Sequence, residues 1–284
     1  MFKVGILGTE NSHAAAFTGL INSVETKYPD FKVVALYGID NATSQAIVDK
    51  YPGDYTICNS PEEMVDLVDC AMITARHGKY HKPFAMPFIK AGKPVFIDKP
   101  FAISNEDAKE LLDTAEALGV PVNGGTGCKY CKDFVDFKAE IRDTAKIGNL
   151  KNAVMTFAAD VHSEYGGFYF YGAHLAEMAL NCFGYHPNSV TAYLKNDYLS
   201  AVVRYDEYDI YLSFAKSYTA VAYGDKSYVF KTIGLADIYD FEMSHFTEMV
   251  RTGKSPMARE ELEMPIKLLN AIEQSLKTGL PVAM

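Results

Sequence analysis

The 284-residue chain has no tryptophan, five cysteines, no run of basic residues, and no apolar stretch near the roughly 20 residues of a membrane helix. The missing tryptophan excludes little, because 19 tyrosines and 17 phenylalanines can fill a core. The cysteines are more informative. Cys58, Cys70, Cys128, Cys131 and Cys182 are scattered and odd in number, which argues against a disulfide framework. Cys128 and Cys131 form a lone CxxC with no second pair or HxxxH at zinc spacing. They read as two reduced thiols, and no metal site is expected. Lysine and arginine total 27 against 36 acids, a net charge of −9, so neither nucleic acid nor an anionic membrane is an expected partner. The opening MFKVGILG lacks a signal peptide's layout and reads as a strand that begins at once; a cytoplasmic enzyme is expected.

Repeats and Pro/Ser-rich linkers are also missing, so domain boundaries must come from changes of hydrophobic period. Short Val/Ile/Leu-rich runs at 3–8, 31–38, 55–60, 70–75, 93–98 and 120–125 read as strands. Helical patterns lie between them: one capped by Ser12, one over 44–51, one opened by Ser60 and Pro61, then 80–91 and 105–118. That alternation is the pattern of a doubly wound parallel sheet covered by helices, a Rossmann-type α/β domain over 1–122. Beyond it, a helix over 133–146 precedes β-rich stretches at 151–157, 189–194, 201–214 and 217–233. A helical segment near 172–183 interrupts them, and helices return at 241–251 and from Leu262 to Leu276. The expectation for 123–284 is an α+β domain with a large, mainly antiparallel sheet, its C-terminal helix free to pack back on the first domain.

The first strand runs into Gly8-Thr9-Glu10-Asn11-Ser12-His13, where a dinucleotide fold places its glycine turn. Of G-x-G-x-x-G only the first glycine stands, as Gly8; the second position is Glu10 and the third His13. A carboxylate facing a diphosphate is unfavourable, although Asn11 tolerates a left-handed backbone. The second strand ends in Gly38 where an acid would grip the adenine ribose. Asp40 either reaches the ribose through a slightly longer loop or sits as a solvated turn residue. No Lys or Arg follows before Lys50, so NAD is favoured over NADP.

The segments TARHGKYH (74–81) and AGKPVFIDKP (91–100) resemble the Gfo/Idh/MocA oxidoreductases, whose pattern runs T-P-x-x-x-H, helix, A-G-K-x-V-x-x-E-K-P. Thr74, His81, Ala91-Gly92-Lys93, Val95 and Asp98-Lys99-Pro100 carry the match, with Asp98 for the usual Glu. KIGNLKNAVMT (146–156), RTGKSP (251–256) and AIEQSLKTGLPV (271–282) are similar to later family elements. The resemblance implies that Lys99 clamps a substrate hydroxyl and its developing alkoxide. It also implies that His174 serves as acid/base. The family's Asp, four residues before that histidine, is replaced by Phe170, with Tyr171 or Glu177 left to compensate.

His77 and His81 border the strand end at Thr74 and line the nicotinamide pocket or sit on a loop. Asp160 and His162 flank a tyrosine-rich run and are placed to touch a polyol. Lys129 falls where many relatives carry a sugar- or cofactor-contacting Arg. The expected function is NAD-dependent hydride transfer at a secondary alcohol of a sugar, cyclitol or related metabolite. The rivals are a non-enzymatic sensor on the same fold and an NAD-assisted glycoside hydrolase. The resemblance further implies a homo-oligomer, dimer or tetramer, formed through the second domain's sheet.

Overall fold

The structure, a computed structural model, describes residues 1–284 throughout. The chain divides into two compact units: Met1–Ala102, Glu106–Gly125 and Tyr239–Arg259 form the first, and Ile103–Asn105, Thr126–Ile238 and Glu260–Met284 the second. No helix is long and apolar enough to cross a membrane.

In the first unit the chain runs β1 (Phe2–Leu7), α1 (Ser12–Asn22), β2 (Phe31–Tyr37), α2 (Asn41–Lys50), β3 (Thr56–Ile57) and α3 (Pro61–Val65). It continues through β4 (Cys70–Ile73), α4 (His81–Lys90), β5 (Val95–Ile97), α5 (Asn105–Leu118) and β6 (Val122–Gly124). All six strands are parallel in the order β3-β2-β1-β4-β5-β6. β4 and β5 are wholly buried, as their unbroken apolar runs require of strands covered on both faces. The order reverses between β1 and β4, and an open α/β sheet has its ligand crevice at the carboxyl ends around that point.

Helix starts follow side-chain capping, which moves two of them from the expected places. α1 is capped by Asn11, whose side chain accepts the His13 amide, rather than by Ser12. α2 begins at Asn41 because Asp40 caps it through the Ala42 amide. Ser60 and Pro61 open α3 as their residue types dictate.

The second unit holds α6 (Lys132–Glu140), β7 (Leu150–Thr156), α7 (Tyr169–Phe183), β8 (Ser189–Lys195), β9 (Tyr198–Arg204), β10 (Asp209–Ser213), β11 (Thr219–Gly224) and β12 (Tyr228–Thr232). α6 stops short of 146 because Asp143 turns its side chain onto the amides of Ala145 and Lys146. The stretch 201–214, expected as one run, is the end of β9 and then β10, and 217–233 is the hairpin β11–β12; turns divide both. α8 (Ile238–Thr252), α9 (Arg259–Thr278) and β13 (Val282–Ala283) complete the chain. The seven-stranded sheet runs β12-β11-β7-β10-β9-β8-β13, antiparallel except for β7 beside β10. Its inner face carries Ala153, Met155, Ala201, Val203, Ile210 and Leu212, all buried. On the outer face Phe230, Val221, Val154, Tyr211 and Val202 lie in register across five strands.

Membership of α8 departs from chain order. Met243, Phe246, Met249 and Val250 share one buried cluster with Val4, Ile6, Phe17, Phe31 and Phe96. Phe246 is fully buried, with its ring 6.0 Å from Phe31 and 6.4 Å from Phe96. Phe246→Ala should therefore destabilise the first unit by about 3–5 kcal/mol in urea unfolding. A loss below about 1 kcal/mol would show that α8 is not needed to close this core.

Candidate active site

The carboxyl ends of β1, β4 and β5 meet at a network of side chains from the degraded glycine turn. Gly8 takes φ +96°, and a Cβ there would stand 2.2 Å from the Ala75 nitrogen, so only glycine lets the turn approach the end of β4. Asn11 donates its side-chain amide to the Thr74 carbonyl at 2.7 Å. Thr74 in turn donates its hydroxyl toward the carbonyls of Leu7 and Gly8 at 3.0 and 3.1 Å. Glu10 folds across the turn, where its Oε1 accepts the Arg76 amide at 3.1 Å.

Asp98 is the centre of this network. It has no exposure, its Oδ1 accepts the Lys99 amide at 2.7 Å, and its Oδ2 lies 2.7 Å from His13 Nδ1 and 3.5 Å from Asn11 Nδ2. Burial pushes the carboxyl up. The opposing charge of His13, with Lys99, outweighs it and holds Asp98 below the usual carboxylate range. Lys99, 2% exposed, follows at the end of β5. His81 is fully buried with Nε2 2.7 Å from the Ala75 carbonyl oxygen, and burial holds its pKa below the ordinary value. A neutral ring donating from Nε2 satisfies both facts. His77 accepts the Lys79 amide through Nδ1 and caps a short 3-10 turn, Gly78–Tyr80; its pKa is also lowered, chiefly by burial.

At the end of β2 a Cβ on Gly38 would meet Thr9 Oγ1 at 2.2 Å and Thr43 Oγ1 at 2.6 Å. The Thr9 hydroxyl lies 2.7 Å from that of Thr43 and 2.9 Å from that of Ser44, so a hydroxyl cluster fills the place of an acidic side chain. Asp40 stands beside it, with Oδ1 on the Ala42 amide at 2.9 Å. Ser12 lies at the start of α1, its hydroxyl 3.5 Å from Asn11 Oδ1.

The second unit presents its own constellation. His174, on α7 and 5% exposed, has Nδ1 2.7 Å from the Thr126 hydroxyl and 3.5 Å from the Cys128 thiol. The Phe157 ring stacks on it at 4.8 Å, and Tyr171 lies at 5.5 Å. Glu177, one turn later, takes the Thr126 amide at 2.8 Å and the Lys129 ammonium at 3.1 Å, in a pair almost without solvent contact. Neither Lys129 nor Glu177 is thus an isolated charge; each neutralises the other. Phe170 packs against Tyr165 and Tyr171.

A cleft of about 640 Å³ is lined by Asp160, Tyr171, Asp197, Lys216 and Tyr218 among others. His162 lies near it, with Nε2 2.8 Å from Asp197, a partner that raises the histidine's pKa. Sequence reasoning missed Thr126 and Phe157, which address His174 from 48 and 17 residues away, and passed over His13, which its place in the glycine motif could have singled out.

Residues 2–126 match the model of an oxidoreductase family with an NAD-binding Rossmann fold, Gfo/Idh/MocA. Over this segment the chain is similar to the Gfo/Idh/MocA oxidoreductases. It is 28% identical over 149 residues to an inositol 2-dehydrogenase of Gluconacetobacter diazotrophicus, covering 52% of this chain and 43% of that protein. It is 27% identical over 162 residues to a glucose-6-phosphate 3-dehydrogenase of Bacillus subtilis, covering 55% and 42%. The matched stretch spans less than half the length of either relative. The fold is similar to that of a myo-inositol dehydrogenase from Lactobacillus casei solved with NAD(H) and myo-inositol. There the TM-score is 0.84 at 16% identity, over 100% of this chain and 97% of that one.

The turn's donor set fits a dinucleotide. With Asn11 occupied by the His13 amide, the amides of Glu10 and Ser12 have no protein acceptor, which leaves two N–H donors at a helix N-terminus for a phosphate. The carboxylate of Glu10 opposes that anion. Glu10→Gln keeps an acceptor for the Arg76 amide and removes the charge, so it should tighten NAD binding by about 1 kcal/mol, roughly fivefold. Calorimetric titration of both proteins checks this; equal or weaker affinity would show that the carboxylate does not act on the phosphates.

Proposed function

We infer that the chain is an NAD-dependent dehydrogenase acting on a CH–OH group of a sugar, cyclitol or related polar metabolite. The observation that carries this reading is Lys99, a buried lysine at the carboxyl end of a parallel strand whose amide is fixed by a buried carboxylate. When bound, NAD supplies the hydride acceptor at its nicotinamide ring. Gly8, the amides of Glu10 and Ser12, and Asp40 are the residues assigned to hold it, with the hydroxyls of Thr9, Thr43 and Ser44 beside the ribose position. No lysine or arginine lies between Gly38 and Lys50 to pair with a 2′-phosphate, which favours NAD.

The Lys99 ammonium binds the reacting hydroxyl and stabilises the alkoxide that develops as hydride leaves. His174 exchanges the hydroxyl proton at Nε2, because Nδ1 is committed to Thr126. Thr126 is the residue assigned to orient the ring, since Phe170 offers no polar atom. Tyr171, Asp160 and the cleft they line are assigned to the rest of the polyol. The names of the relatives, an inositol and a glucose-6-phosphate dehydrogenase, support a polyhydroxy substrate. The apolar row across the outer face of the second sheet, with Phe230 55% and Tyr211 43% exposed, supports a homo-oligomer. Five free, buried cysteines suit a reducing, cytoplasmic setting.

Sugars and cyclitols screened with NAD should yield one that gives net NADH. Lys99→Met should then lower turnover on the order of a hundredfold at every pH. His174→Ala should lower it comparably and also remove one limb of the pH profile. NAD binding without turnover on any polyol would favour a sensor, and turnover without NADH release a hydrolase.

A further inference from the structure

We propose that His13 is a positioning residue that sets Lys99 through the carboxylate of Asp98. The inference rests on the assignment of Lys99 as the group that binds the reacting hydroxyl. His13 occupies the third glycine position of the turn, in the first turn of α1, and its Nδ1 lies 2.7 Å from Asp98 Oδ2. The other oxygen of the same carboxylate accepts the Lys99 amide at 2.7 Å. One planar group therefore links the imidazole to the lysine's own backbone.

Exposure is 8% for His13, none for Asp98 and 2% for Lys99, so the imidazole rather than solvent faces this carboxylate oxygen. The imidazole is itself fixed, edge-on to Tyr239 at 4.9 Å and to Phe17 at 6.0 Å. The remaining titratable group acting on the carboxylate's surroundings is His81 on α4, whose pKa burial lowers. With glycine at position 13, the side-chain donor left to Asp98 Oδ2 is Asn11 at 3.5 Å, already engaged with the Thr74 carbonyl at 2.7 Å. The carboxylate could then rotate, and the Lys99 amide would lose a fixed acceptor. The two departures from the glycine motif thus share an effect: Glu10 ties the turn to the end of β4, and His13 ties it to the end of β5.

The test measures hydrogen exchange at the Lys99 amide in the full chain as wild type, His13→Gly and His13→Asn. Turnover is followed with NAD and the polyol identified by screening, and Lys99→Met is assayed alongside. In His13→Gly the Lys99 amide should exchange at least about tenfold faster, while amides elsewhere in the first unit keep their rates. The kcat should fall on the order of tenfold to a hundredfold, with the KM for NAD changed less than about threefold. His13→Asn, whose side-chain amide can donate near the place of Nδ1, should recover most of both. An unchanged Lys99 exchange rate in His13→Gly overturns the proposal. So does equal loss in both variants with exchange accelerated throughout the first unit. Full turnover by Lys99→Met would sink the dehydrogenase assignment of Lys99, and the exchange measurement would still decide whether His13 holds this segment.

Discussion

A carboxylate with no access to water must be matched by charge and hydrogen bonds where it stands, and Asp98 imposes that demand on everything around it. Stripping a buried ion pair of one partner costs about 3–5 kcal/mol, enough to make the arrangement of His13, Asn11 and the Lys99 amide a single unit rather than three contacts. Because Asn11 also reaches Thr74, the same demand fixes the end of β4. The turn after β1 is thereby held by side chains, where a glycine-rich turn relies on close approach of bare backbone. Its conformation survives the loss of two glycines for that reason, and its helix-end amides keep the direction that suits an anion.

Much of this was legible in the sequence at the level of elements. The unbroken apolar runs around Ile73 and Ile97 announce strands buried on both faces, and Ser60-Pro61 announces a helix start. The pattern Asp98-Lys99-Pro100 marks the family because it follows such a strand. What could not be read was the direction of side chains. Glu10 looks from sequence like a charge aimed at a diphosphate, yet it bends back onto an amide 66 residues away. Asp40 and Asn11 looked like turn residues and are helix caps, each with an extended backbone and its side chain on an amide two residues on.

The second unit shows the same limit more sharply. His174 was singled out by the family resemblance, but its orientation is set by Thr126, 48 residues earlier, and by Phe157 on β7. Lys129 looked like a sugar or cofactor contact and Glu177 like a stand-in for the missing carboxylate, and in the fold they pair with each other beside the Thr126 amide. Phe170 left a gap in the family pattern that sequence could not fill, since the polar partner of the histidine comes from a different element. Long-range pairs of this kind follow from topology, which periodicity gives only in outline.

The placement of α8 has a consequence for how the chain is made. The face formed by Phe17, Phe31 and Phe96 is covered by residues 243–250, yet its own strands and first helix are complete by residue 124. On a ribosome adding about 5–20 residues per second, on the order of ten seconds pass before that cover emerges. During that time the nascent nucleotide-binding unit carries an uncovered aromatic surface while residues 126–238 of the second unit are being extruded. The order of synthesis therefore keeps the first unit from closing its core until residues 243–250 are made, and any factor that shields exposed aromatic surface on nascent chains has its target in these three phenylalanines.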